Sequence, residues 1–312
     1  MEKVMKIRSV LLVLLFPLAI GTPALAIDCS KAVTSTEKQI CADPLLLQLD
    51  SVLGWDYRDH IRQNDKALAR QEQKTWLENR DQCDSDVCLA KAYISRIKEI
   101  SGAENVSVIR KASPQWDFIV HATGCDAALS YPHCEGPGIV DIYEKNVGRL
   151  FQRIRMKTFF VELDGKGDVS SNLTELYGEN NNGLVVDDFN FDGSDDIALR
   201  NGNDGAYGGP SYDIHLYDAT GKRFVINDAL TELASSNLGL FEVDRKEKTL
   251  TTFTKSGCCW HQSAVYRIDG NTPIMVREVT QDARSDETVT IIDRKLVNGT
   301  WHVNETKEKF DR

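Results

Sequence analysis

Asp188, Asn190, Asp192, Ser194 and Asp196 stand at alternate positions of one nine-residue stretch, with Gly193 inside it. In a calcium-type loop, side chains at positions 1, 3, 5 and 9 and the carbonyl at position 7 turn hard oxygens toward one centre. Glycine at position 6 makes the sharp bend. An all-oxygen donor set favours calcium over zinc or copper. The bidentate Glu expected at position 12 of a helix–loop–helix calcium motif is replaced by Leu199, and Ile197-Ala198-Leu199 reads as a strand. The spacing therefore predicts a calcium loop with a structural role, its shell completed by Asp187, Asp195 or an oxygen from 201–205. The alternative is a polar turn without metal, in which three carboxylates repel one another.

A second set is Ser256-Gly257-Cys258-Cys259-Trp260-His261, between two strand-like runs. Neighbouring Cα atoms sit about 3.8 Å apart, below the usual disulfide span of about 4.4–6.8 Å. A bond between Cys258 and Cys259 would close a small ring and stiffen the loop. The bland alternative is a turn at Ser256-Gly257, a packed Trp260 and a His261 bonded to backbone. No Gly-x-Ser-x-Gly, His-Glu-x-x-His, phosphate loop or nucleotide fingerprint occurs, and the six histidines are scattered. A non-enzymatic binding protein is therefore expected.

All eight cysteines, 29, 41, 83, 88, 125, 134, 258 and 259, lie beyond an apparent leader. In that leader Lys3, Lys6 and Arg8 precede an apolar run from Val10 to Ile20, and Ala24-Leu25-Ala26 is a small-x-small site. Residues 1–26 are read as a cleaved signal peptide, which implies a periplasmic or secreted protein with disulfides rather than zinc. The run is shorter than the roughly 20 residues of a membrane span. The whole chain of 312 residues carries a net charge of −10. An acidic surface disfavours nucleic acid and favours a basic partner or cations.

Two regions must position these groups. Residues 27–102 read as helices: Thr34-x-x-Glu37 is a capping box, Asp43-Pro44 starts a helix, and Leu45, Leu49, Leu53, Tyr57 and Ile61 share one face. A helix over Leu68–Leu77 follows, with Trp76 packed inward. Asp86 opens a last helix that Gly102 ends. So small a core calls for staples. Cys83–Cys88 would close only a short loop. Bridges from Cys29 and Cys41 to that corner are the favoured pairing among three.

Residues 103–114 read as a linker, and 115–312 as short strands with turn residues between them, including hairpins around Asn146-Val147-Gly148 and Asn298-Gly299. Cys125 and Cys134 bracket a loop and are expected to pair. The fold class is α+β in two domains: a small disulfide-stapled helical domain, then an antiparallel β-sandwich or barrel-like domain.

Two stretches resemble known families. Asp28-Cys29-Ser30-Lys31-Ala32, Glu37-Lys38-x-Ile40-Cys41, Asp43-Pro44-x-Leu46, Asp50, Gln73-x-x-Trp76-Leu77-x-x-Arg80-x-x-Cys83 and Cys88-Leu89-x-x-x-Tyr93-x-x-Arg96-Ile97 together look like the LprI-type domain, which is named after a lysozyme inhibitor. Val186-x-Asp188-Phe189-Asn190-Phe191-Asp192-Gly193-x-x-Asp196, Gly208-Gly209-Pro210-Ser211-Tyr212-Asp213 and Leu216-Tyr217-Asp218-x-x-x-Gly221-Lys222-Arg223-Phe224 are similar to calcium-binding periplasmic β proteins related to invertebrate-type lysozyme inhibitors.

The resemblances imply a lysozyme or other peptidoglycan muramidase as partner. Ser256, Gly257 and His261 would lie in or beside the inhibitory loop, from which the adjacent cysteines depart. A calcium-dependent envelope module that binds glycan or protein without inhibition is the alternative.

Overall fold

A computed structural model describes residues 27–126, 128, 131–174, 181–285 and 287–309; the leader expected over 1–26 lies outside them. Four helices come first: α1 (Ser35–Ala42), α2 (Pro44–Gln63), α3 (Lys66–Arg80) and α4 (Asp86–Ser101). Their starts follow the sequence signals. Thr34 and Glu37 exchange the reciprocal bonds of a capping box, and Asp43 caps α2 with Pro44 at its first position. α4 is capped by Ser85 rather than by Asp86, which becomes its first residue, and it ends at Gly102 with φ of 74°. An L side chain would be strained at that angle.

The disulfides are Cys29–Cys41, Cys83–Cys88, Cys125–Cys134 and Cys258–Cys259. This corrects the pairing favoured for the helical region. Both of its bridges are local, because the first two cysteines meet across the turn into α1 and the other two across the loop from α3 to α4. What joins the first helix to the last is instead the shared apolar core of Ile40, Leu49, Val52, Leu89, Tyr93 and Ile97.

The strands that follow are β1 (Asn105–Ile109), β2 (Trp116–Ala122), β3 (Cys125–Asp126), β4 (His133–Glu144) and β5 (Leu150–Glu162). They form one antiparallel sheet in which β4 pairs with β2, β3 and β5. The stretch expected as a linker thus contains β1, paired along its length with β2. A second sheet holds β6 (Leu184–Asp187), β7 (Asp196–Gly202), β8 (Ser211–Asp218) and β9 (Arg223–Ile226). After α5 (Asp228–Ser235), a meander of β10 (Glu242–Asp244), β11 (Thr249–Ser256), β12 (Trp260–Asp269), β13 (Thr272–Asp282), β14 (Thr288–Val297) and β15 (Thr300–Lys309) makes a third.

The layers follow from strand alternation. On β2, Phe118, Val120 and Ala122 face the second sheet with Leu184, Val186, Ile197 and Leu199, while Ile119 faces the helices. β2 is consequently buried along its whole length. The other face of the second sheet packs Ala198, Tyr212 and Ile214 against Leu230 of α5 and Leu250 of the third sheet. Helices, two sheets, and then α5 with the base of the third sheet form successive layers. The outer hairpin β14–β15 projects, with β15 exposed throughout. Its turn is the expected Asn298-Gly299, both residues at positive φ.

The interface between helices and first sheet is not purely apolar. Arg153 of β5 bonds both Asp141 oxygens, at 2.6 and 2.7 Å, and reaches Asp56 of α2 at 2.8 Å. His121 lies 3.3 Å from Asp141 and 3.7 Å from Asp56. Gln48 of α2 donates to Asp117 at 3.1 Å. Such a seam fixes how the helices sit, because each misplacement would strand a buried charge. A Cβ at Gly148, in the β4–β5 turn, would overlap Leu47 of α2.

Candidate functional site

The aspartate loop joins β6 to β7, and the strand read over 197–199 is part of β7. The loop is wound on its own amides. Asp188 accepts from the N–H groups of Asp192 and Gly193, at 3.0 and 2.9 Å. Asn190 Oδ1 accepts from Asp192 N–H at 3.1 Å, and Asp192 accepts from Ser194 N–H at 2.8 Å. Phe191 and Gly193 both have positive φ, of 62° and 91°. Asp188, Asn190 and Asp192 thus lie on a single tight bend.

Asp196 behaves differently. It is fully buried, and its two oxygens accept from the N–H groups of Phe189 and Tyr217, at 2.9 and 2.8 Å. Burial pushes its carboxyl up to about 7, with Asp192 and Asp188 adding to the effect. Of the residues considered for completing a shell, Asp187 pairs with Arg245 at 2.8 Å and Asp195 accepts from Ser113 Oγ at 2.5 Å. Among the described residues no three His, Cys, Asp or Glu side chains form a metal-holding group. The oxygens of Asp188, Asn190 and Asp192 remain a hard-donor set of the type calcium takes, and neither Asp188 nor Asp192 has an ion-pair partner among the described residues.

Ser256, Gly257, Cys258 and Cys259 form the tip of the β11–β12 hairpin, where Ser256 pairs with Trp260. Cys258 and Cys259 are bonded to each other, with Cα atoms 3.7 Å apart. Ser256 to Cys258 are exposed. Gly257 has φ of 64° with open space where a Cβ would project. Its N–H donates to Tyr207 Oη at 2.6 Å, and Cys259 C=O accepts from Ala283 N–H at 2.7 Å. His261 lies within β12, where its ring stacks on Phe253 at 5.8 Å between centroids.

Tyr207 is the member of this end that the residue-by-residue reading missed. It is 63% exposed, so burial does not explain its place. The signal for it was the run of glycines at 205, 208 and 209 around it.

The aspartate loop and the hairpin tip are far apart. Asn190 Nδ2 donates to Asn271 Oδ1 at 2.9 Å, and Asn271 lies in the turn between β12 and β13, at the opposite end of β12 from Cys259. Ten strand residues span roughly 30 Å. A cation in the loop would brace the turn at the base of this sheet, not take part in contacts made at the tip.

No family model matches this chain. It is 25% identical over 155 residues to lipoprotein LprI of Mycobacterium bovis and of Mycobacterium tuberculosis, a match covering 47% of this chain and 71% of the relative. In three dimensions it is similar to a Xanthomonas type IV secretion system related protein, with a TM-score of 0.50 and 22% identity, over 64% of this chain and 99% of that one. The first likeness is a distant relation to LprI; the second is one of fold alone. Among the described residues no helix is long and apolar enough to cross a membrane, and four disulfides suit an oxidising compartment outside the cytoplasm.

Proposed function

We propose that this chain is a non-catalytic binding protein of the cell envelope that occludes the glycan groove of a lysozyme or other peptidoglycan muramidase. The observation that carries this reading is the likeness to LprI over 155 residues. The β11–β12 tip supports it: an exposed turn, held by the Cys258–Cys259 ring and by Tyr207, meets a cleft with little ordering cost. Ser256 and Gly257 make the contact, and His261 sets the strand behind it. The acidic surface draws in a basic muramidase. Calcium, held by Asp188, Asn190, Asp192 and the Ser194 carbonyl, supplies charge neutralisation that stiffens the base of the same sheet.

The test is clearing of a cell-wall suspension by lysozyme, with full-length mature protein, in calcium and in chelator. Wild type slows clearing, and the double variant Cys258→Ser, Cys259→Ser slows it at least tenfold less. Unchanged clearing with several muramidase classes ends the proposal. If binding to peptidoglycan is found instead, the protein is an envelope module that binds without inhibiting.

A further inference from the structure

We propose that Asp50 is the receptor for the α-ammonium group created when the chain is cut between Ala26 and Ile27. The inference does not depend on the muramidase reading.

Ile27 N lies 2.7 Å from Asp50 Oδ2. The other oxygen of Asp50 accepts from Tyr93 Oη at 2.7 Å, and that hydroxyl accepts from Arg80 Nη1 at 3.1 Å. The Ile27 side chain packs against the helical core, as do those of Leu45 and Leu47. The next residues are pinned as well: Asp28 accepts from Ser30 N–H, and Cys29 is bonded to Cys41. The nitrogen delivered to Asp50 is therefore positioned by its own side chain and by the residues that follow it, and it belongs to the residue after the small-x-small site at 24–26.

In the uncut chain this nitrogen is an amide with a single, uncharged N–H. Burial pushes the Asp50 carboxyl up, against the opposing pull of the Ile27 and Tyr93 bonds and of Arg80. Arg80 does not neutralise it directly, because its Nε and Nη2 are given to Asp81, at 2.9 and 2.6 Å. Asp50 also borders a cavity between α2 and α3, whose other charged lining residue is Arg58 of α2.

Hydrolysis of the Ala26–Ile27 peptide bond by a signal peptidase consumes one water. The hydroxyl goes to the Ala26 carbonyl carbon and a hydrogen to the Ile27 nitrogen, and proton transfer leaves a carboxylate and an ammonium. The ammonium then faces Asp50 as an ion pair where only an uncharged amide donor stood before. Leader removal would thereby complete the helical core.

The test compares three full mature chains: one starting at Ile27 with a free amine, the same chain with its α-amine acetylated, and one retaining Ala26. Thermal unfolding is followed from pH 6 to 10. The free-amine chain is expected to melt about 3 °C or more above the other two at pH 7. Pairing raises the folded amine's pKa, so the advantage holds below about pH 8 and is lost as pH rises through that higher value. In Asp50→Asn the advantage disappears. Equal melting of the three chains, an advantage that survives Asp50→Asn, or an exported protein whose first residue is not Ile27 would each overturn the proposal. Should Asp50→Asn fail to fold, the pH dependence of the acetylated and free chains still decides.

Discussion

At the scale of single residues, Asp192 and Asp196 belong to one motif but have different surroundings. Asp192 is exposed on the loop, whereas Asp196 is buried with both oxygens engaged by backbone amides. Their replacements should therefore separate. Asp196→Ala orphans the amides of Phe189 and Tyr217 and is expected to cost about 2–4 kcal/mol with or without calcium, read as a lower urea midpoint. Asp192→Ala should cost little in chelator, yet lose the calcium response of wild type. If the loop takes calcium as proposed, that response would reach about 2.7 kcal/mol at a hundred times the dissociation constant. A calcium-induced rise in melting temperature equal in Asp192→Ala and wild type would remove the metal from the account.

At the scale of elements, the β11–β12 hairpin and the polar seam under α2 carry opposite expectations. Ser256 to Cys258 are exposed, and the adjacent cysteines form their disulfide with each other. Replacing both by serine should leave stability within about 0.5 kcal/mol of wild type while inhibition falls, a pair of readings that distinguishes contact from folding. The seam is buried, and Arg153 is shared by two carboxylates. Arg153→Met strands Asp56 and Asp141 together and should cost about 3–5 kcal/mol, measured by chemical denaturation.

Acid acts on the same seam. Burial opposes ionisation of Asp141, but the nearby His121 and the bonds from Arg153 outweigh it and hold the carboxyl below its usual range. Asp117 is held low in the same sense by Lys145 and Gln48. These contributions are complete above about pH 4, where the unfolded carboxyls are ionised, and are lost as pH falls through the lower folded values. Asp56, raised by burial, opposes the trend in part. Urea midpoints should therefore drop below pH 4, and less steeply in Asp141→Asn.

At the scale of the whole molecule, the helices are one wall of a core completed by Val106, Ile119 and Tyr143 of the first sheet. Residues 27–102 expressed alone should lose that wall, together with the Gln48, Asp56 and Asp59 partners across it. We expect no cooperative thermal transition from the fragment, in contrast to the full mature chain. A sharp transition in the fragment would show that its two local disulfides suffice.

Local chemistry was legible in the sequence because its causes are local. The capping box at Thr34 and Glu37, the Asp43-Pro44 helix start, the Gly102 stop and the Asn298-Gly299 turn each depend on residues within one turn of chain. The Asp188–Asp196 pattern announced a tight acidic bend for the same reason. What the tertiary structure decided involves partners far apart in sequence. It turned the linker into β1 by giving it β2 as a neighbour, set the disulfides locally by placing each thiol beside its nearest mate, drew Asp196 into the core and brought Tyr207 to the tip fifty residues away. Spacing fixes what a segment can bond within itself. Only the packed chain fixes which distant group removes it from water.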